Sequence, residues 1–104
     1  MLYVYVLTNI TKTVLYTGVT NNLQMRVAEH FHKRNNSFTA KYRCFNLIYY
    51  EEYATIKEAI AREKVIKNRS RRWKERLIER MNPEWKFYNE ALFDPWPPDE
   101  NYFR

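Results

Sequence analysis

Glu63 occupies a position that a helical pattern would otherwise give to an apolar residue. A helix that starts after Thr55 places four apolar residues on one side: Ile56, Ala59, Ile60 and Ile66. At about 100° per residue, Glu63 falls inside that apolar arc. Burying an unpaired carboxylate costs several kcal/mol. Glu63 is therefore expected either to pair with a nearby arginine in a structural role, or to face a cleft and act as a metal ligand or an acid/base group.

Arg26 and His30 are four residues apart and therefore share one face of the helix that the sequence predicts for residues 23–32. Both flank the apolar residues Leu23 and Val27 of that helix. The pair fits two interpretations, the solvated rim of an amphipathic helix or polar groups of a site.

Tyr5 and Tyr16 lie on two predicted strands that should pair as a hairpin, and tyrosines in strands are most often core residues. Gly18, the only glycine of the chain, follows Tyr16 by two residues near the end of its strand. Glycine in a strand marks a bulge or a close backbone approach. The structural role predicted for Gly18 is therefore to keep the space beside Tyr16 open.

The elements that must position these side chains alternate along the chain. Strands are predicted over residues 3–8, 14–19 and 46–53, where β-branched and aromatic residues dominate. Thr20, Asn21 and Asn22 offer caps for the first helix, while Thr55 and Ser70 cap two more. The order β-β-α-β-α-α predicts an α+β fold with a small three-stranded antiparallel sheet flanked by helices.

Length and composition exclude several classes of protein. The 104 residues suit one domain, here residues 1–82, followed by a proline-containing acidic tail over residues 83–104. The single cysteine, Cys44, excludes an internal disulfide framework, and a single glycine excludes a Gly-rich phosphate loop. Residues 2–7 are too short an apolar run to span a bilayer, so we expect a cytoplasmic protein without a membrane partner.

The chain carries a net charge of +6, and residues 57–86 hold eleven basic and five acidic residues. This stretch is either a solvated helical face or a surface that follows a phosphate backbone. The predicted nucleic-acid contacts are Lys41, Arg69, Arg71, Arg72, Lys74 and Arg76.

The spacing of these residues resembles the GIY-YIG nuclease superfamily. The first motif is present as Tyr3-Val4-Tyr5 and the second as Tyr16-Thr17-Gly18, with the arginine, the histidine and the later carboxylate in order. The resemblance covers residues 1–82 and continues into Asn82-Pro83-Glu84-Trp85. The proteins that the chain resembles are small single-domain bacterial endonucleases, which are likened to the UvrC N-terminal domain. The first motif lacks its glycine, and Thr17 replaces the isoleucine of the second.

The resemblance implies a metal-dependent endonuclease that hydrolyses DNA phosphodiester bonds, in repair or in other DNA processing, with RNA left open as a substrate. It implies that Tyr16 is a general base or orients the attacking water. Tyr5 would shape the site and hydrogen-bond the phosphate or its nucleophile, and Arg26 would stabilise the negative charge of the phosphate. It also implies that His30 assists proton transfer and that Glu63 holds a single Mg²⁺ or Mn²⁺. A late asparagine of the family has three candidates, and none is assigned: Asn68, Asn82 and Asn89.

Two alternatives remain open from the sequence. One is a nucleic-acid-binding module that has lost turnover, and the other is a protein-interaction domain that uses its aromatic surface and acidic tail. Trp96, between Pro95 and Pro97, would bind a partner or pack on the body. Because no second DNA-binding domain is visible, sequence specificity is expected to be low or to come from a protein partner.

Overall fold

The computed structural model describes residues 1–32 and 37–103. Its centre is a three-stranded antiparallel sheet in the order β2-β1-β3, formed by Leu2–Thr8 (β1), Leu15–Thr20 (β2) and Asn46–Tyr53 (β3). The predicted strands and the fold class are therefore confirmed. Tyr5 of the central strand lies opposite Gly18 of β2 and Tyr50 of β3.

The helices lie on both faces of the sheet, and three of them begin at predicted caps. In chain order they are Leu23–Phe31 (α1), Ser37–Tyr42 (α2), Ile56–Lys67 (α3), Arg71–Met81 (α4) and Asn89–Leu92 (α5), followed by a 3-10 turn at Glu100–Phe103. Three side chains cap α1, α3 and α4 by accepting a backbone N–H of the first turn: Asn22, Thr55 and Ser70. The sequence pattern did not predict the two short helices α2 and α5.

Strand alternation divides the core into two layers. On one face, Val4 and Val6 pack with residues of α3 and α4 such as Ile66 and Ile78. On the other face, Tyr5 and Leu7 pack with α1. A shift of register in β3 pairs Val6 with Tyr49 but Leu7 with Leu47, so that the strand holds one extra residue there. This bulge brings Leu47 and Tyr50 to the α1 face although they are three residues apart.

Helix α3 is rotated relative to the expectation from its apolar residues. Ile56 is 52% exposed and Ile60 is 41% exposed, so these two residues do not belong to a buried arc. Ala59 and Ile66 are fully buried and mark the inward face of the helix. The expected apolar arc was therefore wrong at Ile56 and Ile60, whereas the position of Glu63 on the inward side was right.

A polar contact between α3 and β3 explains this rotation. Arg62 donates from Nε and Nη2 to the two carboxylate oxygens of Glu51, over 2.9 and 3.1 Å, and Tyr49 and Tyr53 donate their hydroxyls to the same carboxylate. Burial of Glu51 opposes its charge, but the hydrogen bonds, first that from Arg62, keep the pKa of Glu51 below its usual range. Because the forked pair fixes the rotation of α3, it also fixes the direction of the adjacent Glu63.

The chain after α4 returns to the outer edge of β3. Asn82 donates its side-chain amide to the carbonyl of Ile48, and Tyr88 donates its backbone N–H to the carbonyl of Leu47. Further along, Phe93 is only 8% exposed and the Trp96 ring packs edge-on against Phe31. Trp96 thus packs on the body, which is one of the two outcomes expected for it. No helix among the described residues is long and apolar enough to cross a membrane.

Candidate active site

The ring of Tyr5 lies directly over Gly18. The two residues are opposite each other in the β1–β2 ladder, and their side-chain positions therefore point to the same face. A Cβ added to Gly18 would lie 2.5 Å from Cζ of Tyr5 and closer still to the hydroxyl. The space left by the missing side chain of Gly18 is therefore filled by the Tyr5 ring, rather than left open beside Tyr16 as the sequence predicted, and the backbone angle of Gly18 is not unusual.

A buried chain of hydrogen bonds starts at Tyr5. Its hydroxyl lies 3.1 Å from Nε2 of His30, and Nδ1 of His30 lies 2.8 Å from Oγ1 of Thr39 on α2. All three residues are at most 2% exposed. The two ring nitrogens of His30 are thus both held by the protein, which sets the orientation of the imidazole and couples its tautomer to the two hydroxyls.

Burial keeps this chain uncharged near neutral pH. Desolvation, reinforced by the positive charge of Arg26, lowers the pKa of His30 to about 4. Desolvation also raises the pKa of Tyr5, with further increases from Tyr16, Glu29 and Glu63 that Arg26 partly offsets. The residues predicted as catalytic therefore act electrostatically on one another around the Tyr5 hydroxyl.

Tyr16 lies at the outer side of this buried chain and is half-buried. Its ring centroid is 5.4 Å from that of His30 and 6.4 Å from that of Tyr5. Tyr16 thus joins the buried hydrogen-bond chain to the surface of the molecule.

An exposed aromatic surface continues from Tyr16 along α2. Phe38 lies 6.1 Å from Tyr16 between ring centroids, and Tyr42 lies 4.8 Å from Phe38. Phe38 and Tyr42 are 42% and 41% exposed, and the ammonium group of Lys41 lies 5.3 Å from the centre of the Tyr42 ring. Nucleobases stack on such rings, and a nearby ammonium group attracts phosphate.

Arg26 forms an ion pair with Glu29 but retains unused hydrogen-bond donors. Nε of Arg26 lies 3.2 Å from Oε1 of Glu29, and within the described chain neither of these buried atoms makes a hydrogen bond of good geometry. The side chain of Arg26 is 37% exposed. Glu29 therefore orients Arg26 by charge, while the guanidinium group stays able to donate to a phosphate.

Glu63 is the partly buried carboxylate of α3, with 18% of its side chain exposed. Its partner is Lys67, one turn later, whose Nζ lies 3.4 Å from Oε1 of Glu63. The expected structural partner was an arginine, so the ion pair has the right kind of charge but a different residue. Since Lys67 is 49% exposed, this is a weak, solvent-screened pair.

The three asparagines considered for the site all serve the backbone. Asn89 accepts from the N–H of Leu47 and donates to the carbonyl of Phe45. Asn82 bonds the backbone of β3 and of Lys86, and Asn68 caps the end of α3 by donating to a carbonyl. Among the described residues, none of these amides forms a hydrogen bond with Tyr5, His30 or Thr39.

The predicted basic surface divides into exposed and engaged residues. Arg71 donates to the carbonyls of Lys12 and Thr13 in the β1–β2 loop and pairs with Glu75, so its guanidinium group holds α4 to the sheet. Lys74 is half-buried, and desolvation lowers its pKa. Like Arg71, the residues Arg69, Arg72, Arg76 and Lys41 are exposed.

Thr39 and Glu29 join the candidate site although they were not among its predicted residues. Glu29 could have been found from its position three residues after Arg26, a spacing at which opposite charges pair on a helix. Thr39 carries no such signal, because it lies on the short helix α2 that the sequence pattern does not predict.

Comparison with known proteins shows the family of this chain. A family model described as the GIY-YIG catalytic domain matches residues 1–76. The chain belongs to the GIY-YIG family. In this GIY-YIG domain the tyrosines of the two motifs are Tyr5 and Tyr16, and the glycine that remains, Gly18, is the one on which the Tyr5 ring rests.

Relatives of this GIY-YIG domain occur in archaea and bacteria. A UPF0213 protein from Natronomonas pharaonis is 41% identical over 76 residues, which cover 73% of this chain and 88% of that protein. A UPF0213 protein from Clostridium perfringens is 35% identical over 96 residues, which cover 88% of this chain and 98% of that protein. The solution NMR structure of a UPF0213 protein from Bacillus halodurans is similar with a TM-score of 0.53 and 27% identity, covering 88% of this chain and 94% of that one.

Proposed function

We propose that this GIY-YIG domain is a metal-dependent endonuclease that hydrolyses phosphodiester bonds of DNA. The observation that carries the proposal is the convergence of Tyr5, Tyr16 and His30, with Arg26 and Glu63 within electrostatic range of the Tyr5 hydroxyl. Cleavage of a phosphodiester requires an oriented water molecule, a cation against the growing negative charge and a proton for the leaving oxygen.

Each of these tasks has a matching side chain. Arg26, with its partly exposed guanidinium group, binds a non-bridging phosphate oxygen. Tyr16, at the surface end of the site, orients the attacking water with its phenol oxygen. During hydrolysis the water oxygen bonds to phosphorus, the ester P–O bond breaks, and a proton from the water replaces phosphorus on the leaving oxygen.

Tyr5 and His30 support this chemistry from the buried side of the site. Because Tyr5 is 1% exposed and bonded to His30, we assign it to holding the imidazole rather than to direct contact with the phosphate. Because its pKa is lowered to about 4, His30 stays neutral, and we assign it to orienting the Tyr5 hydroxyl beside Tyr16 rather than to taking up a proton.

Glu63 fits the binding of one Mg²⁺ or Mn²⁺. The described residues contain no group of three acidic, histidine or cysteine side chains that would enclose an ion. A site with one carboxylate suits Mg²⁺, which prefers oxygen ligands and keeps several waters. When bound, the ion supplies positive charge against the reacting phosphate.

The test compares Glu63→Gln with the wild type on plasmid and on short labelled DNA in Mg²⁺ or Mn²⁺. We expect cutting to fall at least 100-fold, in line with losing one preorganised charge, while DNA binding measured by fluorescence anisotropy changes less than twofold. Glu84→Gln is the matched control, because Glu84 is fully on the surface in a loose pair with Lys86.

Three results would contradict the proposal. Equal cutting by Glu63→Gln would remove the metal-binding role of Glu63. Binding of DNA by the wild type without any cutting would favour the alternative of a nucleic-acid-binding module that has lost its catalytic activity. Line broadening of the Tyr5 and Tyr16 ring signals by Mn²⁺ should occur in the wild type and disappear in Glu63→Gln, and its persistence would place the ion elsewhere.

A further inference from the structure

A cavity lies at the start of α1 and next to the edge strand β3, away from the buried hydrogen-bond chain. It has a volume of about 690 Å³, and its walls include Tyr3, Tyr50, Tyr88 and Glu52. We call it the tyrosine pocket. A volume of this size accommodates one long side chain of a bound protein or a small ligand.

The sheet register explains why these side chains share one pocket. Tyr3 lies directly opposite Glu52 in the β1–β3 ladder, and Tyr50 lies two residues before Glu52 on the same face. The ring of Tyr50 packs edge-on with Tyr3, at 6.3 Å and 63°, and with Tyr88, at 6.1 Å and 80°. The three rings are therefore neighbouring walls at steep angles to one another, rather than a flat stack.

The phenol and carboxylate groups of the tyrosine pocket are not used by the fold. Within residues 1–32 and 37–103, no hydrogen bond holds the hydroxyls of Tyr3, Tyr50 and Tyr88, and the carboxylate of Glu52 has no ion-pair partner. Among the described residues, no lysine or arginine lines the pocket, although the chain carries a net charge of +6. This combination of aromatic faces and a free carboxylate favours a cation and disfavours a phosphate.

The tyrosine pocket is distinct from the candidate active site. Gln24, which lines the pocket, and Arg26 lie about 160° apart around α1, since each residue advances the helix by about 100°. Gln24 donates to the carbonyl of Leu92 in the C-terminal segment, whereas Arg26 and His30 face the β2 side. The pocket thus lies between α1, β3 and the C-terminal segment, on the other flank of α1.

We propose that the tyrosine pocket binds an arginine or lysine side chain of a partner protein, with the cationic group over the ring faces and paired with Glu52. This inference does not depend on nuclease activity. Charge complementarity identifies the occupant, because a basic side chain is the protein group that gains from both the ring faces and the carboxylate.

The test uses the amino-acid amides as probes. N-acetyl-arginine amide and N-acetyl-lysine amide are titrated into the full chain while the aromatic ring signals are followed by NMR. We expect saturable shifts of Tyr3, Tyr50 and Tyr88 in the millimolar range, and at least a tenfold weaker effect of N-acetyl-citrulline amide, which has the shape of arginine without its charge.

Variants separate the pocket from general surface attraction. Glu52→Gln should weaken binding of the arginine probe at least threefold, and Glu84→Gln, an exposed carboxylate elsewhere, should leave it unchanged. Equal binding of the citrulline probe, shifts confined to Phe38 and Tyr42, or stronger effects on the same rings from cytidine or inorganic phosphate would each overturn the proposal. Unchanged DNA cutting in Glu52→Gln is expected, so failure here is distinguishable from failure of the proposed nuclease.

Discussion

The Tyr5 hydroxyl lies 3.1 Å from Nε2 of His30, and neither side chain is more than 2% exposed. Burial lowers the pKa of His30 and raises that of Tyr5, so both groups are uncharged at neutral pH. The pair therefore keeps a proton donor and a proton acceptor together in a region that disfavours charge. This arrangement makes the stability of the fold sensitive to acid at one identifiable residue.

We expect the protein to lose stability between pH 7 and pH 5 because of His30. In the unfolded chain the imidazole of His30 takes up a proton with a pKa near 6.5. In the folded chain its pKa is about 4, so the imidazole stays neutral until the pH is much lower. Between these values the unfolded state holds more protons, so the free energy of unfolding rises with pH and falls with acid. The loss at pH 5 is about 2 kcal/mol from this residue.

Urea unfolding of the wild type and of His30→Gln at pH 7 and pH 5 measures this effect. The difference between their pH dependences isolates His30, because the other ionisable groups are common to both chains. An equal loss of stability in the two proteins would show that His30 is not buried as a neutral group.

Gly18→Ala should disturb Tyr5 directly. A Cβ at residue 18 would lie 2.5 Å from Cζ of Tyr5, and the ring, which is locked by its neighbours, must move. We expect a loss of roughly 1–3 kcal/mol, which is typical of overpacking, and a strong loss of DNA cutting. Unfolding measurements in a double-mutant cycle with Tyr5→Leu check the cause, since the cost of Gly18→Ala should shrink when the ring is absent.

Thr39 is expected to act as a positioning residue for His30. Thr39→Val removes the hydroxyl 2.8 Å from Nδ1 and leaves a buried nitrogen without its partner, at a cost of roughly 1–3 kcal/mol. The turnover rate should fall at least tenfold with little change in the Michaelis constant. Thr39→Ser keeps the hydroxyl and should restore most of the rate.

A merely structural role for Thr39 would give a different pattern. The ¹⁵N shifts of the two His30 ring nitrogens should change in Thr39→Val and return in Thr39→Ser. Unaltered ring shifts together with an altered rate would contradict the positioning role.

DNA binding should depend steeply on salt, and the arginines of α4 should differ in their contributions. Arg72 and Arg76 are exposed, so Arg72→Gln and Arg76→Gln are each expected to reduce the slope of log K against log salt by about one. Arg71→Gln should mainly lower stability, because Arg71 is bonded to the β1–β2 loop. Anisotropy titrations of DNA binding between 50 and 200 mM salt measure this slope, since phosphate contacts weaken over roughly this range. DNA binding that does not change with salt would favour a protein-interaction domain.

Local sequence signals account for much of the architecture. The strand pattern and the caps at Asn22, Thr55 and Ser70 are read from neighbouring residues, and the helices begin where those caps predict. The same holds for Tyr16 and Gly18, whose spacing of two residues in one strand predicts a shared face. These features depend on short-range physics, which a single sequence displays.

Features that depend on distant contacts could not be predicted in this way. The rotation of α3 is set by Arg62 reaching Glu51 on another element, and nothing in the helical periodicity reports it. The partner of Glu63 and the role of Thr39 likewise depend on how α2 and α3 lie against the sheet. An apolar periodicity identifies a helix, but its orientation is decided by the polar groups that it must satisfy.

The contacts of Asn82, Tyr88 and Asn89 with β3 have a consequence for solubility. β3 is an outer strand, and its free N–H and C=O groups would otherwise offer a template on which another chain could extend the sheet. The side-chain amides and the Tyr88 N–H bond the backbone of Phe45, Leu47 and Ile48 instead. A chain shortened after Asn82 would lose the contacts of Tyr88 and Asn89 and expose this part of the template, and its first failure would be self-association into aggregates rather than loss of the proposed nuclease chemistry.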